Sequence, residues 1–297
     1  MKVEGWKLAQ RQRLPLKVKI NKSLQVIRHW YEAHDGKVYV AFSGGKDSTV
    51  MLHLVRSLYP EVKAIFCDTG LEYPELKAFV KQTPNTEVIR PEMSFVQVVD
   101  KYGYAVVNKN VSMAISRYRN TTDPIQKEYR MYGTKNGQFI GKAGVIPEKW
   151  RFLVNAPFKI SGQCCDAMKK IPFHKYENET GLKPFIGLMA SESDSRKVYY
   201  MKNGCNSFDS KYPKSLPIGF WEEENIWEYI RKFKVPYCSI YDTGVDRTGC
   251  MFCMLGLQKD NPERTRFDIM KETHPVIHKY CMEKMGMEKI INYVNKK

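Results

Sequence analysis

The sequence predicts an α/β fold with a mostly parallel, twisted sheet, helices on both of its faces and a helical C-terminal part. Two observations lead to this prediction. Apolar runs of strand length alternate with helical patterns along the first third of the 297 residues. A glycine-containing loop, 43–48, then links the first of these strands to the following helix.

Each predicted element follows from its own pattern. Apolar residues at spacings of three and four predict helices, and short apolar runs bounded by turn residues predict strands. The predicted helices cover residues 22–34, 47–58, 74–81, 95–102, 222–233 and much of 262–297, and the predicted strands cover 37–42, 62–68, 87–91 and 183–190. Pro74 suits the first turn of its helix, and residues 222–233 place acids first and bases last, as the helix dipole favours.

The predicted elements divide the chain into three parts. We expect an N-terminal helical segment at residues 1–35, an α/β domain at 36–256 and a helical segment at 257–297. The pattern loosens at about 104–160, which we interpret as an insertion in the α/β domain.

Composition narrows the class of protein. Hydrophobic residues make up 43% of the chain, so an apolar core is expected. No apolar run reaches the length of about 18 residues that suggests a membrane span. The first residues show no apolar signal-peptide core, so we expect a cytoplasmic protein. The net charge of +16 favours anionic partners, either nucleic acid or phosphorylated small molecules.

The insertion carries much of the basic charge. It contains ten basic residues and three acids, and tyrosines and a tryptophan occur among them in the sequence. The basic residues are Lys109, Arg117, Arg119, Lys127, Arg130, Lys135, Lys142, Lys149, Arg151 and Lys159. Basic side chains in such a pattern can bind the phosphates of a nucleic acid while the aromatic rings stack on its bases. The alternative is an insertion whose charged residues are only solvated.

The loop at 43–48 has the residues of a phosphate-binding turn. Gly44 and Gly45 allow a tight backbone whose N–H groups can face one anion, and the helix that follows adds its positive dipole end. The hydroxyls of Ser43 and Ser48 can donate to phosphate oxygens, and Lys46 adds charge. Asp47 is expected to order the loop.

This loop matches neither the P-loop of ATPases nor the GxGxxG dinucleotide motif. The string SGGKDS, 43–48, resembles the PP-loop of the adenine nucleotide alpha hydrolase superfamily. The resemblance implies binding of ATP or an adenylyl sulfate at the carboxyl ends of the strands, with Asp68 and Thr69 beside the loop. Asp68 would serve the ribose or adenine side, or a magnesium ion.

Further segments are similar to the phosphoadenosine phosphosulfate reductase family. They are FCDTGLEYPE at 66–75, IGLMASESDSRK at 186–197 and the long segment at 216–250. In the second segment the family has arginines that meet anionic groups of the substrate; Arg196 is kept, and Met189 replaces the other. The resemblance covers about residues 22–102 and 160–256, and the insertion lies outside it.

Four cysteines form two pairs, Cys164–Cys165 and Cys250-x-x-Cys253. Adjacent cysteines cannot easily both join one tetrahedral zinc ion, whereas they can reach two corners of a larger cluster. The layout resembles the [4Fe–4S] site of the iron–sulfur type of sulfonucleotide reductase. A zinc site of Cys250, Cys253, His274 and His278 and four cysteines without metal are the alternatives.

The catalytic residue is not assigned by the sequence. Sulfonucleotide reductases carry a nucleophilic cysteine in a C-terminal Glu-Cys-Gly-Leu/Ile-His motif, which does not occur in these residues. Cys281 is the one cysteine after Cys253, and it lacks that setting, so it is a weak candidate for the nucleophile.

Three functions remain open at this point. The first is reduction of adenylyl or phosphoadenylyl sulfate with electrons from a reductant protein. The second is an AMP-forming sulfurtransferase that cleaves ATP, receives sulfur from a donor protein and modifies a nucleic acid. The third is a nucleotide-binding regulator without turnover. Met189, which replaces an arginine of the family, would be compatible with this function.

Overall fold

The computed structural model describes residues 3–295, and its chain divides into two compact units. The α-helices are α1 (Gly5–Gln12), α2 (Leu16–Ala33), α3 (Lys46–Arg56), α4 (Pro74–Gln82), α5 (Phe95–Tyr102), α6 (Lys109–Asn120), α7 (Pro124–Tyr132), α8 (Ile171–Thr180), α9 (Asp194–Asn203), α10 (Glu223–Phe233), α11 (Arg266–Thr273), α12 (Pro275–Lys279) and α13 (Met287–Val294). The strands are β1 (Val38–Ala41), β2 (Ala64–Cys67), β3 (Thr86–Ile89), β4 (Val106–Val107), β5 (Thr134–Lys135), β6 (Gln138–Phe139), β7 (Lys183–Ile186), β8 (Asn206–Ser207), β9 (Lys214–Ser215) and β10 (Met254–Leu255).

Unit 1 contains the large sheet and comprises Met1–Asp68, Tyr73–Ile89 and Phe173–Tyr241. The strand order is β3-β2-β1-β7-β9-β8. All neighbouring strands in this sheet pair in parallel except β8 and β9, which are antiparallel. The α/β fold class with a mostly parallel sheet is therefore confirmed.

The sheet is covered on both faces. On one face Tyr39 and Ile65 are fully buried and pack with Tyr176 of α8. The side chains of Val38 and Val40 lie on the opposite face of β1, because successive residues of a strand alternate between faces, and both are also buried. Burial on both faces explains why β1 is a continuous apolar run rather than an alternating one.

Unit 2 comprises Thr69–Glu72, Arg90–Pro172 and Asp242–Lys297. Strands β4 and β10 pair in parallel, and β5 and β6 form an antiparallel hairpin. The guanidinium of Arg119 donates to four backbone carbonyls within 153–158 and so fixes that loop. Helices α11 to α13 form the predicted helical C-terminal part.

One prediction of local structure was incomplete at the N-terminus. Helix α2 begins at Leu16, six residues before its predicted start, and α1 lies in the N-terminal segment that was predicted to be helical without bounds of its own. The apolar residues at 16, 18 and 20 alternate as in a strand, which hides the helical period. The predicted boundaries at 35 and 256 remain predictions. Among residues 3–295 no helix combines the length and the hydropathy needed to cross a bilayer.

Candidate functional site

The loop at 43–48 is held in shape by its own serines. The Ser43 backbone N–H donates to Ser48 Oγ over 3.1 Å, and the two hydroxyl oxygens lie 3.0 Å apart. Ser48 Oγ also donates to the Gly45 carbonyl over 2.9 Å. Helix α3 begins directly after Gly45, which has no side chain to cap it. The first-turn N–H groups and the positive dipole end of α3 therefore lie at this loop, as in anion-binding helix termini.

Gly44 is required by the path of the loop. Its φ of +74° lies in the left-handed region that favours glycine. A Cβ atom at this position would lie 2.9 Å from Val80 Cγ2 and 3.0 Å from Leu76 Cδ2, both on α4. The loop thus packs directly on α4 with no room for a side chain.

The loop lies at the point where the strand order reverses. The chain runs from β1 outward through β2 and β3, and β7 is added on the other side of β1. Gly187 follows β7, and a Cβ there would lie 3.1 Å from both Asp47 O and Ser48 N. The loops after β1 and β7 are therefore in close contact. Ligands of open α/β sheets bind in the crevice at such a switch point.

Lys46 is buried beside two aromatic rings. Its Nζ lies 3.0 Å from Glu223 Oε1, 5.1 Å from the Tyr241 ring centre and 5.9 Å from that of Trp227. Its backbone N–H donates to the Tyr241 hydroxyl over 2.9 Å. The ammonium group thus forms an ion pair with a carboxylate of α10, which the sequence did not indicate.

Asp68 and Thr69 follow β2, and each has a close partner. Asp68 Oδ1 lies 2.8 Å from Lys77 Nζ on α4. The Thr69 hydroxyl and backbone N–H donate to Glu72 over 2.6 Å and 3.1 Å. Glu72 is buried and also accepts from the backbone N–H of Leu71, so this turn has a fixed shape.

Arg196 lies on α9, in the segment that follows β7. Its guanidinium pairs with Glu192, whose carboxylate also accepts from the Met189 backbone N–H over 2.9 Å. The Met189 side chain is 3% exposed and belongs to the core. At this position the apolar side chain therefore has a packing role, and the cations of the segment are Arg196 and the adjacent Lys197.

The four paired cysteines all lie in unit 2 and influence one another electrostatically. Burial is the largest cause that raises the pKa of Cys164 to about 12, and the charges of Cys165, Cys250 and Cys253 contribute in the same direction. Burial likewise raises the pKa of Cys250 to about 11, whereas Lys169 lowers it. The two pairs, 85 residues apart in the sequence, are therefore electrostatically coupled in the fold.

The turn after β2 positions the second cysteine pair. The Met251 backbone N–H donates to the Leu71 carbonyl over 2.8 Å. The Cys253 backbone N–H donates to the Cys250 carbonyl over 2.9 Å, which closes the tight Cys-x-x-Cys turn. Lys169 Nζ lies 3.9 Å from Glu72 Oε1, so a basic and an acidic group flank the cysteines.

The first cysteine pair precedes a π-helical turn at Asp166–Lys170. Lys109 Nζ donates to both carboxylate oxygens of Asp166 over 2.7 Å and 2.8 Å, and Lys170 Nζ lies 2.8 Å from the same carboxylate. These contacts fix the backbone next to Cys165. The thiolate-forming donors suit iron–sulfur or zinc chemistry. Within residues 3–295, however, no three His, Cys, Asp or Glu side chains are arranged to hold a single metal ion.

Cys281 lies in the apolar interior of unit 2. Its side chain is fully buried, and its sulfur lies 4.0 Å from Met270 Sδ. Burial raises the thiol pKa to about 12. A reactive thiol needs an exposed setting that stabilises the thiolate, so this position lacks the properties of a nucleophile.

Sequence reasoning missed Glu72, Gly187, Glu223, Trp227 and Tyr241 as neighbours of the predicted site. Glu72 follows Thr69 at the spacing of a local side-chain turn, a signal that could have been used. The partners of Lys46 lie more than 170 residues away, and no local pattern connects them.

A parallel sheet with a glycine turn and a helix N-terminus at its switch point defines a nucleotide-binding α/β protein. A model of the phosphoadenosine phosphosulfate reductase domain matches residues 37–142 and 142–255. These matches span most of the sheet and both cysteine pairs. The chain therefore belongs to the phosphoadenosine phosphosulfate reductase family.

Curated relatives share a modest fraction of the sequence. An uncharacterized protein of Methanocaldococcus jannaschii is 27% identical over 231 residues, which are 76% of this chain and 38% of that protein. An adenosine 5'-phosphosulfate reductase of Bacillus cereus is 22% identical over 82% of this chain and 83% of its own length. The corresponding enzyme of Geobacillus kaustophilus is 23% identical over 84% and 86%.

Two solved structures match more than four fifths of this chain. A phosphoadenylyl-sulfate reductase from Candida auris, in a phosphate complex, has a TM-score of 0.46 and 15% identity, and covers 84% of this chain and 97% of its own. An FMN adenylyltransferase from Candida glabrata has a TM-score of 0.46 and 12% identity, with coverages of 82% and 67%.

Proposed function

We propose that the chain is an adenine-nucleotide-binding enzyme of sulfur chemistry whose loop 43–48 binds the phosphate groups. One observation carries the proposal: the glycine turn and the N-terminus of α3, whose N-cap residue Gly45 has no side chain, lie together at the switch point of the parallel sheet. Backbone N–H groups and a helix dipole favour an anion at such a place. Family membership supports an adenine nucleotide as that anion.

The remaining nucleotide contacts are proposed residue by residue. Lys46 would exchange its Glu223 partner for a phosphate oxygen. Asp68 would accept from the ribose or the adenine side, or bind a magnesium ion, and Thr69 would stand beside it. Arg196, which lies on the segment after β7, would meet further anionic groups of the substrate.

The four paired cysteines are proposed to hold a [4Fe–4S] cluster. The donor set fits by its chemistry because thiolates are the usual ligands of such clusters, and the charges of Cys165, Cys250 and Cys253 act on the pKa of Cys164. A bound cluster would supply one-electron transfer or assist the transfer of sulfur. Anaerobic purification with metal analysis tests this assignment. About four irons per chain, lost in a Cys164→Ser variant, would support it, whereas one zinc per chain would support the rival site.

Reduction of an adenylyl sulfate is the first candidate reaction. Relatives that span more than four fifths of this chain are named adenosine 5'-phosphosulfate reductases. In this candidate two electrons from a reductant protein reduce the sulfur to sulfite, the bond between the sulfur and the phosphate oxygen breaks, and AMP, or its 3'-phosphorylated form, leaves.

AMP-forming sulfur transfer is the second candidate, and the burial of Cys281 favours it. Sulfonucleotide reduction through a thiosulfonate needs an accessible thiolate, and Cys281 is fully enclosed with a pKa of about 12. In this candidate an oxygen of the second substrate attacks the α-phosphorus of ATP and pyrophosphate leaves. Sulfur from a donor protein then replaces the activated oxygen and AMP leaves.

Product analysis separates the two reactions. The protein is incubated with ATP, or with adenylyl or phosphoadenylyl sulfate and a thiol reductant. Sulfite from either sulfonucleotide supports reduction. AMP with pyrophosphate, formed with a nucleic-acid substrate present, supports transfer. Nucleotide binding without any product would support a regulatory role instead.

A further inference from the structure

The insertion presents an exposed surface made by α7, the β5–β6 hairpin and Arg151, here called the insert surface. Three large side chains on it face outward: Tyr132 is 59% exposed, Phe139 64% and Ile140 60%. Helix α7 has no buried residue at all. Contiguous patches of exposed apolar side chains mark interaction sites, whereas scattered single ones are ordinary.

The insert surface is preformed. The Glu128 carboxylate accepts from the Thr134 hydroxyl over 2.7 Å and from the backbone N–H groups of Asn136 and Gly137 over 3.0 Å and 2.9 Å. These bonds hold the hairpin turn, in which Asn136 and Gly137 both have positive φ. The turn therefore presents Phe139 on a rigid support, which lowers the entropic cost of binding.

Two of the three acids of the insertion have partners within the fold, whereas several of the cations lie over aromatic rings. Asp123 caps α7 through the backbone N–H of Ile125, and Glu128 holds the hairpin. Arg151 lies 5.0 Å from the ring centre of Tyr132, and Lys127 lies 5.8 Å from that of Tyr118. Among the described residues, Arg151 Nε has no hydrogen-bond acceptor.

A pocket of about 370 Å³ opens between α7 and the hairpin. Ile125, Tyr129 and Ile140 supply apolar walls, and Arg130 and Lys135 supply positive charge. Gln126 and Asp123, the residue that caps α7, complete the lining, so its charged groups are two cations and one carboxylate. This combination suits a flat apolar group attached to an anion, and its volume is within the range of small-ligand sites.

We propose that the insert surface binds single-stranded nucleic acid. Unpaired bases offer flat faces for Tyr132, Phe139 and the pocket, and the phosphates between them suit Arg151 and Lys135. The net basic charge argues against a hydrophobic protein partner, because such interfaces are depleted of lysine. The inference deepens the second candidate of the proposed function, since it supplies the class of macromolecule that this reaction would modify.

Fluorescence anisotropy with labelled single strands of about 20 nucleotides, in RNA and in DNA form, tests the proposal without ATP. We expect salt-sensitive binding of at least one strand. A Phe139→Ala or Tyr132→Ala variant should bind roughly 5- to 100-fold more weakly, as loss of one stacked base implies. A Lys135→Ala variant should reduce the slope of log K against log salt by about 0.7.

A matched control is present in α1. Trp6 is 62% exposed, and Lys7 Nζ lies 5.2 Å from its ring centre. The Trp6→Ala variant removes a comparable aromatic–cation pair outside the insertion, so its affinity for the single strands should be unchanged. Equal affinity for duplex DNA or heparin, or insensitivity to Phe139→Ala and Tyr132→Ala, would overturn the proposal. Because no ATP is present, failure here is distinct from failure of nucleotide binding at loop 43–48.

Discussion

Gly44 is the residue on which the shape of the candidate phosphate loop depends. Its left-handed backbone and its contact with α4 are separate constraints. Gly181 also has a left-handed backbone, with φ of +73°, but a Cβ there would meet no other atom. Comparing alanine variants at the two positions therefore measures the steric contribution of the contact with α4 alone.

We predict that Gly44→Ala lowers the free energy of unfolding by about 1–3 kcal/mol more than Gly181→Ala does. Both substitutions bear the cost of a left-handed alanine, about 1–2 kcal/mol. Only the Cβ at position 44 must displace Leu76 and Val80. Urea denaturation of the two variants measures the difference, and equal losses would show that the contact with α4 is unimportant.

For Cys281 we predict that replacement by serine affects stability and not catalysis. The residue is fully buried beside Met270, so a hydroxyl there would lose its hydration at a cost of about 1–3 kcal/mol. Product formation per folded molecule should stay within twofold of wild type. A loss of activity of 100-fold or more, without loss of folded protein, would instead identify this thiol as the nucleophile.

At the scale of elements, the ion pair between α3 and α10 is the feature with the clearest consequence. Glu223 is largely exposed, yet its carboxylate holds the buried ammonium of Lys46. A phosphate at loop 43–48 would compete with this carboxylate for the same cation. The ion pair would therefore oppose the nucleotide binding that we propose at this loop.

Glu223→Gln should strengthen binding of an adenine nucleotide by roughly 2- to 5-fold, as the loss of a half-exposed ion pair implies. Glu224→Gln is the matched control, because Glu224 is also exposed in the first turn of α10 and should leave the affinity unchanged. Titration calorimetry at low salt gives both values. Weaker binding by the Glu223 variant would mean that this carboxylate helps to hold the ligand.

Several elements could be predicted from the sequence because their signals are local. Strand β1, the loop 43–48 and α3 follow one another within 20 residues, and each has its own pattern. The contacts of Lys46 with α10 and Tyr241 join residues far apart in the chain, and only packing shows them. The same holds for Leu71, whose carbonyl positions the Cys250–Cys253 turn through Met251.

At the scale of the whole molecule, stability should depend on pH through the half-buried side chain of His34. Burial, together with Lys183, lowers the pKa of His34, whose ring packs edge-on against Trp30 with centroids 4.3 Å apart. Nε2 of this ring is buried with no partner among the described residues. Protonation is therefore unfavourable in the folded state.

The sign of the effect follows from proton binding. Since the folded pKa lies below the unfolded value of about 6.5, unfolding takes up a proton at mildly acidic pH. Stability is thus fully present above about pH 6.5 and falls as the pH is lowered towards the folded pKa. Urea denaturation at pH 7.5 and 5.5 should show this loss, and His34→Gln should reduce it. The same pH dependence in the variant would assign the effect to other groups.

Binding of an adenine nucleotide at loop 43–48 is the central claim, and titration calorimetry tests it most directly. ATP and adenylyl sulfate are titrated into wild type, Gly44→Ala and Gly181→Ala, with GTP for comparison. We predict that at least one adenine nucleotide binds wild type and Gly181→Ala alike, binds Gly44→Ala about tenfold or more weakly, and is preferred over GTP. Absence of binding by both adenine nucleotides, or equal binding by all three proteins, would contradict the claim.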